Sequence, residues 1–151
     1  MRYFLDTEFD GFGGRLISLA LVPEDGAEEL YLVIRGDVTD PWVQRHVMPF
    51  IDHVPEALKC PPLERLEAAE AVWHWLEHDA SPEIIADWPE DLAQFSMLLV
   101  IGPGKMVPVP PLILRFAALP GFSTAVNSAV PHNALHDARA LRDHFVTNHL
   151  E

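Results

Sequence analysis

The segment Arg2 to Phe9, RYFLDTEF, constrains the fold more than any other stretch of the chain. It reads as a short, aromatic-rich apolar β-strand that nevertheless carries Asp6 and Glu8 two residues apart. Successive strand side chains alternate between faces, so both carboxylates project from one side while Leu5 and Thr7 take the other. Two like charges held side by side repel each other. Either the strand lies at an edge and exposes both, or a divalent cation that prefers oxygen ligands, Mg²⁺ or Mn²⁺, sits between them.

The turn-forming run Asp10-Gly11-Phe12-Gly13-Gly14 ends this strand, Arg15 to Val22 reads as a second, and Glu29 to Arg35 as a third. Short connections at Gly11 to Gly14 and Pro23 to Gly26 predict an antiparallel meander for strands one to three. Helical patterns follow. Pro41 to Phe50 is a candidate short helix, and Leu63 to His78 places Leu66, Ala69, Val72, Trp73 and Leu76 at amphipathic spacing. Ile84-Ile85-Ala86 is a short buried strand, and Pro89 marks the first turn of a helix running to about Val100, with Glu90 and Asp91 at its positive end. Prolines and glycines break up the stretch from Ile101 to Pro131, which leaves a strand or short helix near Leu112 to Leu119. His136 to Asn148 is predicted as a helix with Ala138, Leu141 and Phe145 on its inward face. Strands followed by alternating helices make an α/β domain spanning residues 1–151, with a mixed sheet flanked by helices.

Composition narrows the function. Ten Lys and Arg stand against 23 Asp and Glu, a net charge of −13. Such a domain repels polyanions, so a nucleic-acid partner has to be held by a local site, by metal ions or by a second subunit. Cys60 is the sole cysteine, which excludes an internal disulfide and a multi-cysteine zinc site and suits a reducing compartment such as the cytoplasm. Asp6, Glu8 and Asp10 interrupt the first apolar run, so no signal peptide is expected. Runs such as Met97 to Ile101 are far shorter than the ~20 residues of a membrane span.

Two other acidic positions stand beside the first pair. Asp91 lies in the first turn of a helix that follows a strand, where α/β proteins bind ligands; it equally suits simple helix-dipole complementation, as do Asp87 and Glu90. In His132-Asn133-Ala134-Leu135-His136-Asp137, a histidine precedes by five residues an aspartate at the border of a buried helical stripe. Asp137 can reach inward to a metal with His132 leaning over the same place, or it can serve only the helix N-terminus.

Taken in order, FLDTEF, IIADWPEDLAQF and HNALHDARAL resemble the three motifs of the DEDDh exonucleases in the ribonuclease H-like superfamily, the group that includes proofreading exonuclease subunits and ribonuclease T. The H-x4-D spacing of the third motif is its most specific element. The resemblance implies a ribonuclease H-like fold, with Asp6, Glu8, Asp91 and Asp137 as ligands of two Mg²⁺ or Mn²⁺ ions and His132 as general base. It is strongest toward small stand-alone bacterial 3′–5′ exoribonucleases. The implied activity is hydrolysis of single-stranded RNA or a 3′ overhang to nucleoside 5′-monophosphates, with single-stranded DNA as the alternative substrate and a homodimer as the assembly. The second motif departs from the pattern: Glu90 stands where an aromatic is usual, and Asp87 where Asn is frequent. Asp87 therefore competes with Asp91 as ligand, although Asp91 is the one a helical turn before Phe95.

Near neutral pH an imidazole of ordinary pKa, about 6.5, is suited to take a proton from water. Phe9 and Phe12, beside the glycine-rich turn, are candidates to stack on a terminal base, with core packing as the alternative for Phe9. The backbone from Thr7 to Phe9 is a candidate contact for a ribose 2′ hydroxyl. Arg2, Arg15, Arg139 and Arg142 are candidate phosphate contacts or ordinary solvated arginines. A non-catalytic nucleic-acid-binding or scaffold domain of the same fold is the rival reading. His74 and His78, four apart on one helix, lack a third ligand and read as a solvated face.

Overall fold

The computed structural model describes residues 1–151. Strands β1 (Arg2–Phe9), β2 (Leu16–Pro23) and β3 (Leu30–Val33) form the expected antiparallel meander. Helix α1 (Pro41–His46) and two short 3₁₀ segments lead to α2 (Arg65–Leu76), then β4 (Glu83–Ala86) and α3 (Pro89–Leu99). A small hairpin, β5 (Val100–Gly102) and β6 (Lys105–Met106), precedes β7 (Ile113–Phe116), the short α4 (Thr124–Asn127) and the closing α5 (Ala134–Thr147). The main sheet has the order β3-β2-β1-β4-β7, antiparallel on the β3-β2-β1 side and parallel from β1 through β4 to β7. This is an α/β fold with a five-stranded mixed sheet flanked by helices.

Both faces of the sheet are covered. Leu5, Leu19, Leu21 and Ile84 pack on one face with Val72 and Leu76 of α2 and Phe95 and Leu98 of α3. On the other, Phe4 and Ile85 meet Leu141 and Phe145 of α5, while Ala20 and Val22 meet Leu135 and Ala138. This explains why β2, LISLALVP, is buried along its whole length and shows little polar alternation. The even-numbered side of β1 faces α5, so Asp6 and Glu8 follow Phe4 onto the α5 side at the carboxyl end of the strand.

The β1–β2 turn depends on glycine at two places. Gly11 has φ +72°, and a Cβ at Gly14 would lie 1.9 Å from the Asp10 carbonyl oxygen. Gly13 N–H donates to Glu90 Oε1 at 3.0 Å and Gln94 Nε2 donates to the Gly14 carbonyl at 2.8 Å, so the first turns of α3 hold this turn in place.

Several boundaries differ from the sequence reading, each for a local reason. The third strand is shorter than Glu29 to Arg35: beyond Val33 the Ile34 amide still donates to the Ile17 carbonyl at 2.7 Å, but the bridge at Ile34 is an isolated one to Leu63. The candidate helix Pro41 to Phe50 divides at Val47, and Pro49, which lacks an amide hydrogen, falls in the 3₁₀ turn that follows. On α2 the buried stripe is Ala68, Ala69, Val72 and Leu76; Leu66 lies outside it, 51% exposed. The helix predicted from His136 begins at Ala134, because Asn133 caps it by accepting from the amides of Leu135 and His136. The segment near Leu112 to Leu119 is the strand β7, while the β5–β6 hairpin and α4 carry no clear sequence pattern.

Truncating Phe95→Ala, fully buried between α3 and the sheet, is expected to cost about 3–5 kcal/mol. Leu66→Ala is expected to stay within about 0.5 kcal/mol. Urea denaturation of both variants measures the contrast.

Candidate metal centre

The carboxyl ends of the parallel neighbours β1 and β4 meet where α3 departs on one face and the first turn of α5 approaches on the other. That junction is the usual ligand position of a parallel α/β unit. Here it is a cleft of about 630 Å³ that includes all of Asp6, Thr7, Glu8, Phe9, Phe12 and, further along the chain, Asp91, His132 and Asp137. Every candidate site residue of the three motifs therefore lines one cavity.

Two groups of ligating atoms form within it. Oxygens of Asp6, Asp87 and Asp91 lie within 4.8 Å of one another, and so do ligand atoms of Glu8, His132 and Asp137. Asp87 and Asp91, the two candidates of the second motif, both bring their side chains beside Asp6. Asp87 is the residue directly after β4, and Asp91 reaches back from the first turn of α3, fixed by hydrogen bonds to its Oδ1 from Thr7 N at 3.1 Å and Thr7 Oγ1 at 2.6 Å. Thr7 spends both donors on Asp91, so in this arrangement it holds a carboxylate rather than presenting a free amide to a ribose.

Asp137 accepts at Oδ2 from the His132 amide at 3.1 Å, while its Oδ1 is buried with no hydrogen-bond partner. An unpartnered buried carboxylate oxygen costs free energy unless a cation or proton meets it. His132 sits at φ +64°, left-handed backbone that costs a non-glycine residue about 1–3 kcal/mol and is characteristic of functional sites. Its ring meets Trp42 edge-on at 5.0 Å. Trp42 belongs to α1, whose N-cap Asp40 accepts from the amides of Trp42 and Val43. The α1 loop is in turn tied to the β1–β2 turn, because the Asp10 carboxylate accepts from Asp40 N at 2.8 Å and Thr39 N at 2.9 Å. Those bonds hold Asp10, the acid that follows the first motif, below the ordinary carboxylate range and give it a structural role.

Burial dominates the electrostatics. It pushes Asp6 well above its ordinary value, reinforced by the neighbouring charges of Asp91 and Glu8, and pushes Glu8 up to about 8, Asp91 to about 7 and Asp137 to about 6. Asp87 is raised by the same cause. His132 moves the other way, lowered by burial and then by the charge of His46, so its imidazole is neutral at pH 7. Seven acidic residues and no lysine or arginine line the cleft. The four candidate phosphate-contacting arginines are engaged elsewhere: Arg2 with Glu24, Arg139 with Glu29, Arg142 with Asp143, and Arg15 with backbone carbonyls including that of Asp37.

Sequence reading overlooked Trp42, Trp88 and Phe122, which also line the cleft. Asp40-Pro41 signals a helix start in front of Trp42, but nothing local relates that helix to His132. Trp73 and Trp75 pack against the core beneath the opposite face, and His74 and His78 are solvated beside Glu77. No helix is long and apolar enough to cross a membrane. No protein-family model matches the chain, and no curated protein matches it.

The donor set fits hard divalent cations: carboxylate oxygens, one of them, Asp137 Oδ1, without a partner, at a site that disfavours their ionised form until positive charge arrives. For Glu8, raised from 4.5 to about 8, the native state binds its proton more tightly than the unfolded chain. Its contribution to stability is therefore full below about 4.5 and is lost as pH rises through about 8. The metal-free protein is expected to melt at lower temperature at pH 8.5 than at pH 5.5. Glu8→Gln should flatten that dependence, and Mn²⁺ should raise the melting temperature at pH 8.5 for the native chain far more than for Asp6→Asn. Calorimetry across pH, with and without Mn²⁺, checks each.

Proposed function

We propose that this chain is a metal-dependent 3′–5′ exonuclease of the DEDDh type on a ribonuclease H-like domain, acting on single-stranded RNA or 3′ overhangs and releasing nucleoside 5′-monophosphates. The observation that carries this reading is the convergence of Asp6, Glu8, Asp91, His132 and Asp137 in one cleft, from segments at opposite ends of the chain. A sheet whose antiparallel strands one to three precede two parallel ones supports the fold assignment.

Asp6, Asp87 and Asp91 would hold one Mg²⁺ or Mn²⁺, and Glu8 and Asp137 the other, with Asp6 near enough to contribute to both groups' field. When bound, such a pair of ions supplies Lewis-acid activation and charge stabilisation for in-line displacement at phosphorus. The chain's own residues do the rest. Neutral His132 accepts the proton of the attacking water, and its left-handed backbone and the edge of Trp42 fix where that imidazole points. Thr7 anchors Asp91, and the His132 amide anchors one oxygen of Asp137, so two ligands arrive pre-oriented. Phe9 and the fully exposed Phe12 stand at the mouth to stack on the terminal base. Two added divalent ions reverse the local field of an otherwise acidic protein, which reconciles the net charge with a polyanionic substrate. The resemblance extends the proposal to a cytoplasmic homodimer.

Digestion of 5′-labelled RNA and DNA of one sequence is expected to give a ladder shortening from the 3′ end with Mg²⁺ or Mn²⁺, abolished by chelator, with RNA preferred. Asp6→Asn and Asp137→Asn should each abolish the ladder while circular dichroism stays native, and His132→Ala should lower kcat about 10²–10⁴-fold. Intact oligonucleotides under every metal condition would favour the non-catalytic binding or scaffold domain, and faster DNA digestion would make it an exodeoxyribonuclease.

A further inference from the structure

Two features of the sequence find no use in the cleft: the apolar run Met97 to Ile101, and Leu66, which has the spacing of a core residue on α2 yet is 51% exposed. The fold brings them together. The start of α2, the end of α3 and the β5–β6 hairpin pack against one another. Around their junction Leu66, Met97, Val100, Ile101 and Met106 are each between 43% and 59% exposed. Val100 and Met106 are cross-strand partners, so the hairpin presents them side by side. Arg65, Leu66, Leu98, Val100 and Ile101 line a hollow of about 240 Å³ there. That is smaller than the roughly 300–1,000 Å³ of a small-molecule pocket and suits the entry of one or two apolar side chains.

Charge sets this surface apart. The chain has 23 Asp and Glu, yet residues 92–136 contain none. Of the ten lysines and arginines, Arg2, Arg35, Lys59, Arg115, Arg139 and Arg142 are each paired with a carboxylate, and Arg15 donates to backbone carbonyls. Arg45, on α1, is one of the three that remain. The other two stand at the apolar junction: Arg65 lines the hollow, and Lys105 precedes Met106 on β6. Ala68 and Ala69 occupy the helical positions from which an acid would neutralise Arg65. Nearby, the Glu64 carboxylate is paired with Arg35, and that of Glu90 accepts from the Gly13 amide.

We propose that this patch docks a short acidic, amphipathic segment of another protein, whose apolar side chains enter the hollow beside Leu66 and Ile101 and whose carboxylates meet Arg65 and Lys105. Contiguous exposed apolar surface marks interaction sites, and flexible methionines such as Met97 and Met106 adapt to what they cover. An acidic segment is repelled over most of a chain of net charge −13, so two unpaired cations beside an apolar hollow give it one place to bind. Two cations are too few to hold an anionic membrane, and no aromatic ring lines the hollow to stack on a base. Val100 lies about 14 Å along α3 from Asp91, so docking is independent of the chemistry in the cleft.

The test selects a phage library of random peptides on the whole chain and counter-selects on the Leu66→Ala, Met97→Ala double variant, whose two changes fall at exposed positions. Peptides that combine a few apolar side chains with flanking Asp or Glu are expected to be enriched. A synthetic copy of the most enriched peptide should show a Kd raised roughly tenfold by Leu66→Ala and by Met97→Ala, the scale of one lost apolar contact, and raised again by salt. Arg65→Glu with Lys105→Glu should remove binding of that peptide and create binding of a copy carrying Lys in place of each Asp and Glu, a reversal that loss of folding cannot produce. RNA digestion should be unchanged in all these variants, so failure of either reading leaves the other standing. Absence of enrichment over the double variant, enrichment of basic peptides, or equal Kd for the acidic and the Lys-substituted copies overturns the inference. Binding of phosphatidylglycerol vesicles or of RNA that the double variant loses would make the patch a membrane or nucleic-acid surface, and self-association that it loses would give the patch to a second copy; each of these outcomes also overturns it.

Discussion

Five carboxylates crowd the carboxyl ends of β1 and β4 in a place that water reaches poorly, and the architecture around them is arranged to make that tolerable. Asp6, Asp91 and Asp137 are buried, and Glu8 and Asp87 are partly so. An ionised carboxylate without a partner in such surroundings is costly, and several together are worse because each raises the others. The protein meets part of that cost internally, with the Thr7 donors on Asp91 and the His132 amide on Asp137. The remainder falls on protons or cations. Folding stability, metal affinity and pH response are therefore aspects of the same repulsion.

Central placement of β1 follows from this. β1 is paired with β4 over Arg2 to Phe4 and with β2 from Tyr3 to Phe9, and helices cover both faces of the sheet, so the backbone leading into its carboxyl end is fixed. Its carboxyl end then presents Asp6 and Glu8 from a rigid support. The flanking helices each deliver one aspartate from a first turn, where the helix dipole favours negative charge. Placing the acids on helix starts and strand ends makes the cluster cheaper than the same acids would be on loops, and it leaves the apolar layers on either side of the sheet uninterrupted.

The opposite surfaces of the site are loops, and they carry the aromatic residues. The β1–β2 turn, the α1 entry and the segment before α5 are linked by Asp10 to Thr39 and Asp40, by Glu90 to Gly13, and by Asn133 to the Phe50 carbonyl. The Asp10 bonds join two of these loops to each other, and the Glu90 bond ties the β1–β2 turn to α3. Trp42, Trp88 and Phe12 stay exposed on this rim while its backbone is tied down.

Local chemistry made much of this legible from the sequence alone. The alternation rule put Asp6 and Glu8 on one face, glycine and aspartate marked the β1–β2 turn, Pro89 marked the start of α3, and apolar spacing placed Phe95, Leu141 and Phe145 inward. These are short-range consequences of backbone geometry, which a few consecutive residues settle. Helix ends were less legible, since the Asn133 cap and the Pro49 break depend on which competing local bond forms. Other matters belonged to the tertiary structure. Whether Asp87 or Asp91 joins Asp6, whether Arg2 or Arg139 faces substrate, and whether Trp42 meets His132 depend on side chains distant in sequence arriving at the same point. The carboxylate field likewise exists only after burial, because desolvation and mutual repulsion are properties of the assembled site and no single segment carries them.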